Sequence, residues 1–309
     1  MDKVARTQYG VPVSLPVCMG VAAVLHATFV LFIVFFEKRD WKVPRIVNYT
    51  AWTIQDDGGA GDARCGDDGV VCTVEPASIV EPGTLSLRWL SIGFHLVSFF
   101  FQALCLVLMR TTQGLYIRDI LDGVNLFRWV EYAISAPMMI VLVSTLAGTF
   151  DYNIHVALVA LTIATMMCGA ASELVSSVEN AIKPLYSDKV VKRTVIRRLQ
   201  AALWVGHAAG WLCQLGTWWV VFKLLLVTLD NSLTQAPDDI RAFIIAINVV
   251  IGIFFVSFGI CQLVSLLAKR RVVAVELTYV ALSLSSKLIL GLLLTFGVVS
   301  RDGLVDAQS

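Results

Sequence analysis

The stretch YVALSLSSKLILGLLLTFG, residues 279–297, decides the fold class because it is long and apolar enough to cross a lipid bilayer. A helix needs about 20 apolar residues to span a hydrocarbon core of about 30 Å. Lys287 lies near the middle of this stretch, too deep for its ammonium group to reach either interface. Because a cation is costly at that depth, Lys287 needs either a buried carboxylate partner or covalent modification of its amine.

The composition places the whole chain in the membrane. Apolar residues make up 57% of the 309 residues and charged residues 15%, with a mean hydropathy of +0.77. Soluble domains average about 25% charged residues. The net charge of +1 offers no basic excess for a nucleic acid. We expect a multi-pass integral protein of the plasma membrane, surrounded by the lipid bilayer, with no nucleic-acid partner, no metal site and no enzymatic activity.

Seven stretches reach the length of a membrane span, and they predict a single all-α membrane domain over residues 1–309. Hydrocarbon cannot satisfy backbone N–H and C=O groups, so each span should be a helix. The predicted spans are 13–36, 87–109, 120–149, 153–178, 200–229, 241–268 and 272–300.

Basic residues predict the orientation of these spans. They concentrate in the N-terminal head and in the second, fourth and sixth loops, whereas the third and fifth loops and the tail carry few. The first loop, which begins EKRDWK, is the exception. The positive-inside rule therefore predicts a cytoplasmic N-terminus and an extracellular C-terminus.

The first loop, residues 37–86, is the largest segment outside the predicted spans. Strand-like pieces flank a turn rich in Gly and Asp, which predicts a small extracellular β-hairpin. Cys65 and Cys72 lie beside that turn and could form a disulfide or remain free thiols. Asn48 begins an Asn-Tyr-Thr sequon, which matters only in a eukaryotic secretory pathway.

The best carboxylate partner for Lys287 is Glu131, near the middle of the third span. Glu131 and Glu173 are the two acids that we place well inside a span. Helical spacing puts Ser135 and Met138 on the face of Glu131, and it puts Ser283 one turn before Lys287, where its hydroxyl can bind a group at the lysine nitrogen.

Aromatic and methionine side chains could wall a long apolar slot beside this pair. Those on the third, fifth and sixth spans are Met138, Met139, Trp218, Trp219, Phe222, Phe254, Phe255 and Phe258. Together with seven spans and a lysine in the middle of the seventh, they are consistent with retinal. The alternative is a Lys–Glu pair that only fixes helix packing or lies on a solute pathway.

Four stretches give the chain a resemblance to the heliorhodopsin family, distant relatives of the microbial rhodopsins. RWVEYAISAPMM (128–139) resembles the Arg-Trp-x-Glu-Tyr segment of that family's third helix, and SLSSK (283–287) resembles its retinal attachment site. FHLVSFFFQ (94–102) and HAAGWLCQLG (207–216) add support. The resemblance covers essentially the whole chain and implies a seven-transmembrane-helix, rhodopsin-like bundle.

The resemblance also implies a chromophore and its partners. All-trans retinal would be bound to Lys287 as a protonated Schiff base, with Glu131 as counterion and Ser283 adjacent. His26 and His95 would form a polar network near the cytoplasmic half of the pocket, and Glu173 would belong to the cytoplasmic polar groups. A homodimer is implied as well. Pro137 stands where a small residue is expected and could bend the third helix.

We therefore predict a photoreceptor that signals to an unknown cytoplasmic partner. A proton pump needs carboxylates staged on both sides of the Schiff base, and we find one acid there. Two alternatives stay open: a light-gated ion or proton channel, and a retinal-free membrane transporter.

Overall fold

The computed structural model describes residues 13–36, 42–55, 71–111, 115–185, 187–231, 237–267 and 272–298. Eight α-helices, one two-stranded sheet and a final π-helical segment make up this part of the chain. In chain order they are α1 (Ser14–Phe36), β1 (Lys42–Gln55), β2 (Val71–Ser86), α2 (Leu87–Thr111), α3 (Leu115–Leu121), α4 (Leu126–Leu146), α5 (Tyr152–Ile182), α6 (Lys189–Asn231), α7 (Asp238–Leu267), α8 (Val272–Leu292) and the π-helix Leu293–Val298.

Seven of the described helices are long and apolar enough to cross a membrane, which confirms the predicted all-α bundle. The short α3 is the exception. Neighbouring helices pack in the order α1, α2, α4, α5, α6, α7 and α8, and α8 closes the ring against α1. Large apolar side chains such as Phe35 and Leu212, 70% and 71% exposed, point outward, as lipid-facing residues do.

Two of the predicted spans differ most from the helices in the structure. The predicted span 120–149 is divided into α3 and α4, because Gly123 adopts φ +81° and Asn125 caps α4 by accepting a hydrogen bond from the Arg128 amide. The predicted span 200–229 lengthens at its start to residue 189, where the Asp188 carboxylate accepts from the Val190 amide at 2.7 Å. The basic fourth loop is therefore largely helical.

The first loop contains the predicted β-hairpin. Strands β1 and β2 pair antiparallel from Lys42 opposite Ser86 to Gln55 opposite Val71. The sheet contacts the loop between α4 and α5, where the Ile46 amide donates to the Phe150 carbonyl at 3.0 Å. The Asn48 side chain donates to Asp151 at 2.6 Å, so the asparagine of the sequon is engaged within the fold.

The predicted disulfide lies outside the described residues. Cys65 falls between β1 and β2, and only the backbone of Cys72 is described, in β2.

Helix α4 is the centre of the bundle. It has the largest share of buried residues among the seven long helices, and its side chains contact α2, α5, α6 and α7. One face of α4 carries Arg128, Glu131, Ser135 and Met139, all buried and spaced by three or four residues. Facing it, α8 carries Glu276, Ser283 and Lys287 at similar spacing. These two rows of buried polar residues, one on α4 and one on α8, position the site.

Candidate functional site

Lys287 lies in the interior of the bundle beside a carboxylate. Its Nζ atom is 2.8 Å from Glu131 Oε1, and the two residues are 2% and 6% exposed. Nζ also donates to Ser283 Oγ at 3.0 Å, one turn earlier on α8. The predicted pair therefore forms in the described structure, with Ser283 at the nitrogen as expected.

Helix α2 completes the surroundings of the amine through Ser98. Its hydroxyl donates to Glu131 Oε1 at 2.6 Å and is itself contacted by Lys287 Nζ. The ring of Tyr132 adds a cation–π contact, with Nζ 5.5 Å from the ring centroid. Ser98 stands within the stretch FHLVSFFFQ, but its role was not recognised in the sequence.

A narrow cavity of about 60 Å³ opens beside the lysine amine. Its lining comes from α4, α5, α6, α7 and α8 and is mostly apolar, with aromatic residues Trp129, Tyr132, Trp211, Phe255, Phe258 and Tyr279. An amine beside an apolar slot suits an elongated apolar molecule that carries one reactive polar end.

The predicted wall residues are only partly brought together. Ser135, Met139 and Phe258 line the pocket with Ser283 and Lys287. Met138 lies instead toward Gly93 of α2, against which its Cε atom packs.

Three aromatic predictions on α6 and α7 need correction. Trp219 is 75% exposed and faces away from the interior, because its neighbour Trp218 occupies the inward direction and is 5% exposed. Successive residues on a helix point about 100° apart, so only one of the two can face the core. Phe222 and Phe254 are partly buried against the main core but do not line the pocket, whereas Phe255 does.

A second buried polar cluster surrounds Arg128, one turn before Glu131. The guanidinium contacts both Glu173 of α5 and Glu276 of α8, and all three side chains are at most 6% exposed. Trp129 Nε1 donates to Glu173 at 2.8 Å, and Asn125 donates to Glu276 at 3.1 Å. One buried arginine thus contacts two carboxylates, and removing the arginine would leave both carboxylates without a counter-charge in the interior.

Glu276 and Arg128 are the functional residues that the sequence reading missed. We counted two acids well inside the spans, whereas the structure also buries Glu179 in α5 and Glu276 in α8, at 1% and 4% exposure. Arg128 lies within the predicted third span and within α4 at 6% exposure, but its contact with two carboxylates was not predicted. The spacing Glu276, Tyr279, Ser283, Lys287 places these residues on one face of α8 and was the available signal.

His26 and His95 form a direct contact on the other side of Lys287. Their Nδ1 atoms are 2.8 Å apart and both rings are fully buried. His95 lies against Gly291, which follows Lys287 by one turn toward the end of α8. The pair was predicted near the cytoplasmic half of the pocket. With the predicted orientation, it lies toward the extracellular end instead, and Glu173 lies toward the cytoplasm.

Two small polar cavities adjoin the arginine cluster, and one of them also adjoins the lysine pair. One cavity is lined by Gln102, Asn125, Arg128, Glu131, Glu276 and Ser283, and it therefore joins the lysine pair to the arginine cluster. A second lies on the far side of that cluster and is lined in part by Asp122, Glu173 and Asn180. Among the described residues, no group of three or more His, Cys, Asp or Glu residues could hold a metal ion.

Comparison with known proteins agrees with this architecture. The family model described as heliorhodopsin matches residues 15–299. Among solved structures, a light-driven proton pump, LR (Mac), from Leptosphaeria maculans is similar, with 12% identity and a TM-score of 0.58 over 94% of this chain and 98% of that chain. At that identity the likeness concerns the fold alone. The search of curated proteins gave no match.

Proposed function

The chain belongs to the heliorhodopsin family, and we propose that this retinal photoreceptor carries all-trans retinal on Lys287 as a protonated Schiff base with Glu131 as counterion. The observation that supports this most strongly is the buried Lys287 amine, 2.8 Å from Glu131 and at the wall of the apolar pocket.

The pocket residues fit the chemistry of retinal, a long apolar molecule with one aldehyde group. Tyr132, Phe258 and Tyr279 offer flat apolar surfaces, and Lys287 is the only lysine among the described lining residues. Ser135 Oγ and Gln214 Nε2 also line the pocket, are buried, and have no hydrogen-bond partner among the described residues. Retinal supplies visible-light absorption and a light-driven change of shape when it is bound.

Glu131, Ser98 and Ser283 hold the proton and the positive charge at the Lys287 nitrogen. The site is buried, and charges attract more strongly in a medium of low dielectric constant than in water. Moving the nitrogen away from Glu131 therefore costs energy, which light must provide. Energy stored at this ion pair can bias a helix arrangement with two states, which is what a sensor requires.

The buried carboxylates argue for a sensor and against a pump. A pump needs a carboxylate free to accept or donate a proton on each side of the nitrogen. Glu131 is paired with Lys287, while Glu173 and Glu276 are both held by Arg128. Toward the extracellular end, the neighbouring titratable pair is His26 and His95.

The predicted orientation belongs to the same proposal, with the N-terminus in the cytoplasm. Arg128 is buried in α4 and does not contribute to the charge bias, which the basic residues of the second, fourth and sixth loops carry. Signalling would then use the cytoplasmic ends of the helices and a partner there, and the chain would act as a homodimer in the plasma membrane.

Light-gated proton conduction is the second candidate, and the linked polar cavities favour it. Polar side chains run from Asp122 and Glu173 through Arg128 to Glu131, and the histidine pair follows beyond Lys287. Whole-cell current under illumination distinguishes the two functions: a sensor gives no photocurrent, and a channel gives one whose sign follows the proton gradient.

Cells that contain this protein and all-trans retinal should show no sustained pH change on illumination. The reason is that Arg128 holds the acids that could relay a proton. The measurement is external pH in a lightly buffered suspension, with a known light-driven proton pump as positive control. A light-dependent pH change that a protonophore abolishes would contradict the sensor proposal.

A further inference from the structure

A basic groove lies where α5 ends and α6 begins, outside the chromophore site. Its lining consists of Lys183 from the end of α5 and Lys189, Lys192, Arg193, Ile196, Arg197 and Gln200 from α6. Five of these seven described side chains are cationic, and none of the seven is a carboxylate. Lys183 is partly neutralised by Glu179 at 2.6 Å, which leaves the four cations of α6 to define the groove.

The position of the groove follows from the length of α6. This helix has 43 residues, which at about 1.5 Å per residue gives about 65 Å. A bilayer with its headgroup regions is about 40–45 Å thick. The first turns of α6 therefore project beyond the hydrocarbon and run through the headgroup layer, where the groove lies.

Apolar side chains beside the groove point to a membrane surface. Leu185 and Val190 are both 75% exposed, and Val191 is 45% exposed. Exposed apolar residues next to lysine and arginine are typical of segments that lie in the interface, with apolar groups at the acyl boundary and cations at the phosphates. A phospholipid can cover the cations with its phosphate and these apolar side chains with its acyl chains.

We propose that this groove binds the phosphate headgroup of an anionic phospholipid from the adjacent leaflet. Lysine and arginine donate charge-assisted hydrogen bonds to phosphate oxygens, and the walls from two helices make the groove a concave site. Charge complementarity and continuity with the membrane-embedded parts of α5 and α6 select a lipid as the occupant.

The test compares two variants that each remove two positive charges at this end of the bundle. The groove variant is Lys192→Gln with Arg193→Gln. The control is Arg110→Gln with Arg118→Gln, since both arginines are exposed and lie outside the groove. Purified full-length proteins in phosphatidylcholine nanodiscs receive increasing amounts of phosphatidylglycerol, and native mass spectrometry counts the retained lipid. Circular dichroism checks the helical content of both variants.

The groove variant should lose at least roughly tenfold in phosphatidylglycerol affinity, because each basic residue near an anionic surface contributes about a fivefold factor, whereas the control should keep the affinity of the unchanged protein. Equal losses in both variants would show diffuse attraction and overturn the proposal. Displacement of the lipid by soluble glycerophosphate at equal concentration would overturn the assignment to a membrane lipid. Displacement of the lipid from the groove by an acidic protein would overturn it as well.

Discussion

Lys287→Ala should abolish the visible absorption band that appears when all-trans retinal is added to membranes containing this protein. Within the part of the chain that the structure describes, Lys287 is the only lysine that lines the pocket, so its removal leaves retinal without an attachment point there. We expect complete loss of the band and not a shift. The measurement is the absorption spectrum of membranes before and after retinal addition.

A matched control comes from the other lysine within a predicted span. Lys223 lies in α6 on the exposed side, where its ammonium group can reach the interface, so Lys223→Ala should keep the band. Removing Lys287 leaves Glu131 as a buried charge without its partner, which costs about 3–5 kcal/mol. The double variant Lys287→Ala with Glu131→Gln avoids that cost and should also lack the band. A band that survives in either Lys287 variant would refute the attachment, and no band with the unchanged protein would favour a retinal-free transporter.

Glu131→Gln should move the absorption of the pigment to longer wavelength and leave a large fraction of it absorbing in the near ultraviolet at neutral pH. A neutral amide no longer stabilises the positive charge at the Lys287 nitrogen, and losing one partner of a buried ion pair costs about 3–5 kcal/mol. A weaker counterion shifts the band to the red, and loss of the proton produces the near-ultraviolet species. Spectra recorded over a pH series measure both effects.

Glu173→Gln is the control for this prediction. Glu173 is as deeply buried as Glu131, but it contacts Arg128 and makes no described contact with Lys287. Its spectral shift should therefore be much the smaller of the two. An unchanged spectrum in Glu131→Gln, or an equal shift in both variants, would remove Glu131 from the role of counterion.

The bundle and its central ion pair were predictable because each span, and the depth of each charged residue in it, can be read from a single stretch of sequence. Span length is fixed by bilayer thickness, and the depth of Lys287 follows from counting residues in α8. The pairing of Lys287 with Glu131 was predictable because a deeply buried cation needs a carboxylate at the same depth. Ser283 followed from helical spacing alone.

The pocket walls were harder to predict because a membrane helix is apolar on every side. In a soluble protein, polar residues mark the outer face of a helix, whereas lipid and core both accept apolar residues. The sequence WW at 218–219 therefore gives no signal for which tryptophan faces inward, and the structure selects Trp218. For the same reason, the sequence could not show that Phe255, and not Phe254, lines the pocket.

Charged residues near helix ends were misjudged for a related reason. Glu276 follows the basic loop by a few residues, so it could have been solvated at the interface. For Arg128, the sequence does not show which carboxylates lie beside it. Their burial comes from tertiary contacts among α4, α5 and α8, which span 45 positions for the Arg128–Glu173 pair and 148 for the Arg128–Glu276 pair. Such distant contacts are not readable from one sequence.

Covalent attachment of retinal to Lys287 is tested most directly by reducing the pigment chemically and locating the retinyl group. Treating the dark pigment with borohydride fixes the linkage, and peptide mass spectrometry then locates the added retinyl mass. We predict that the mass is found on the peptide containing Lys287 and on no other lysine peptide. A retinyl group on Lys223, or none on any lysine, would contradict the account.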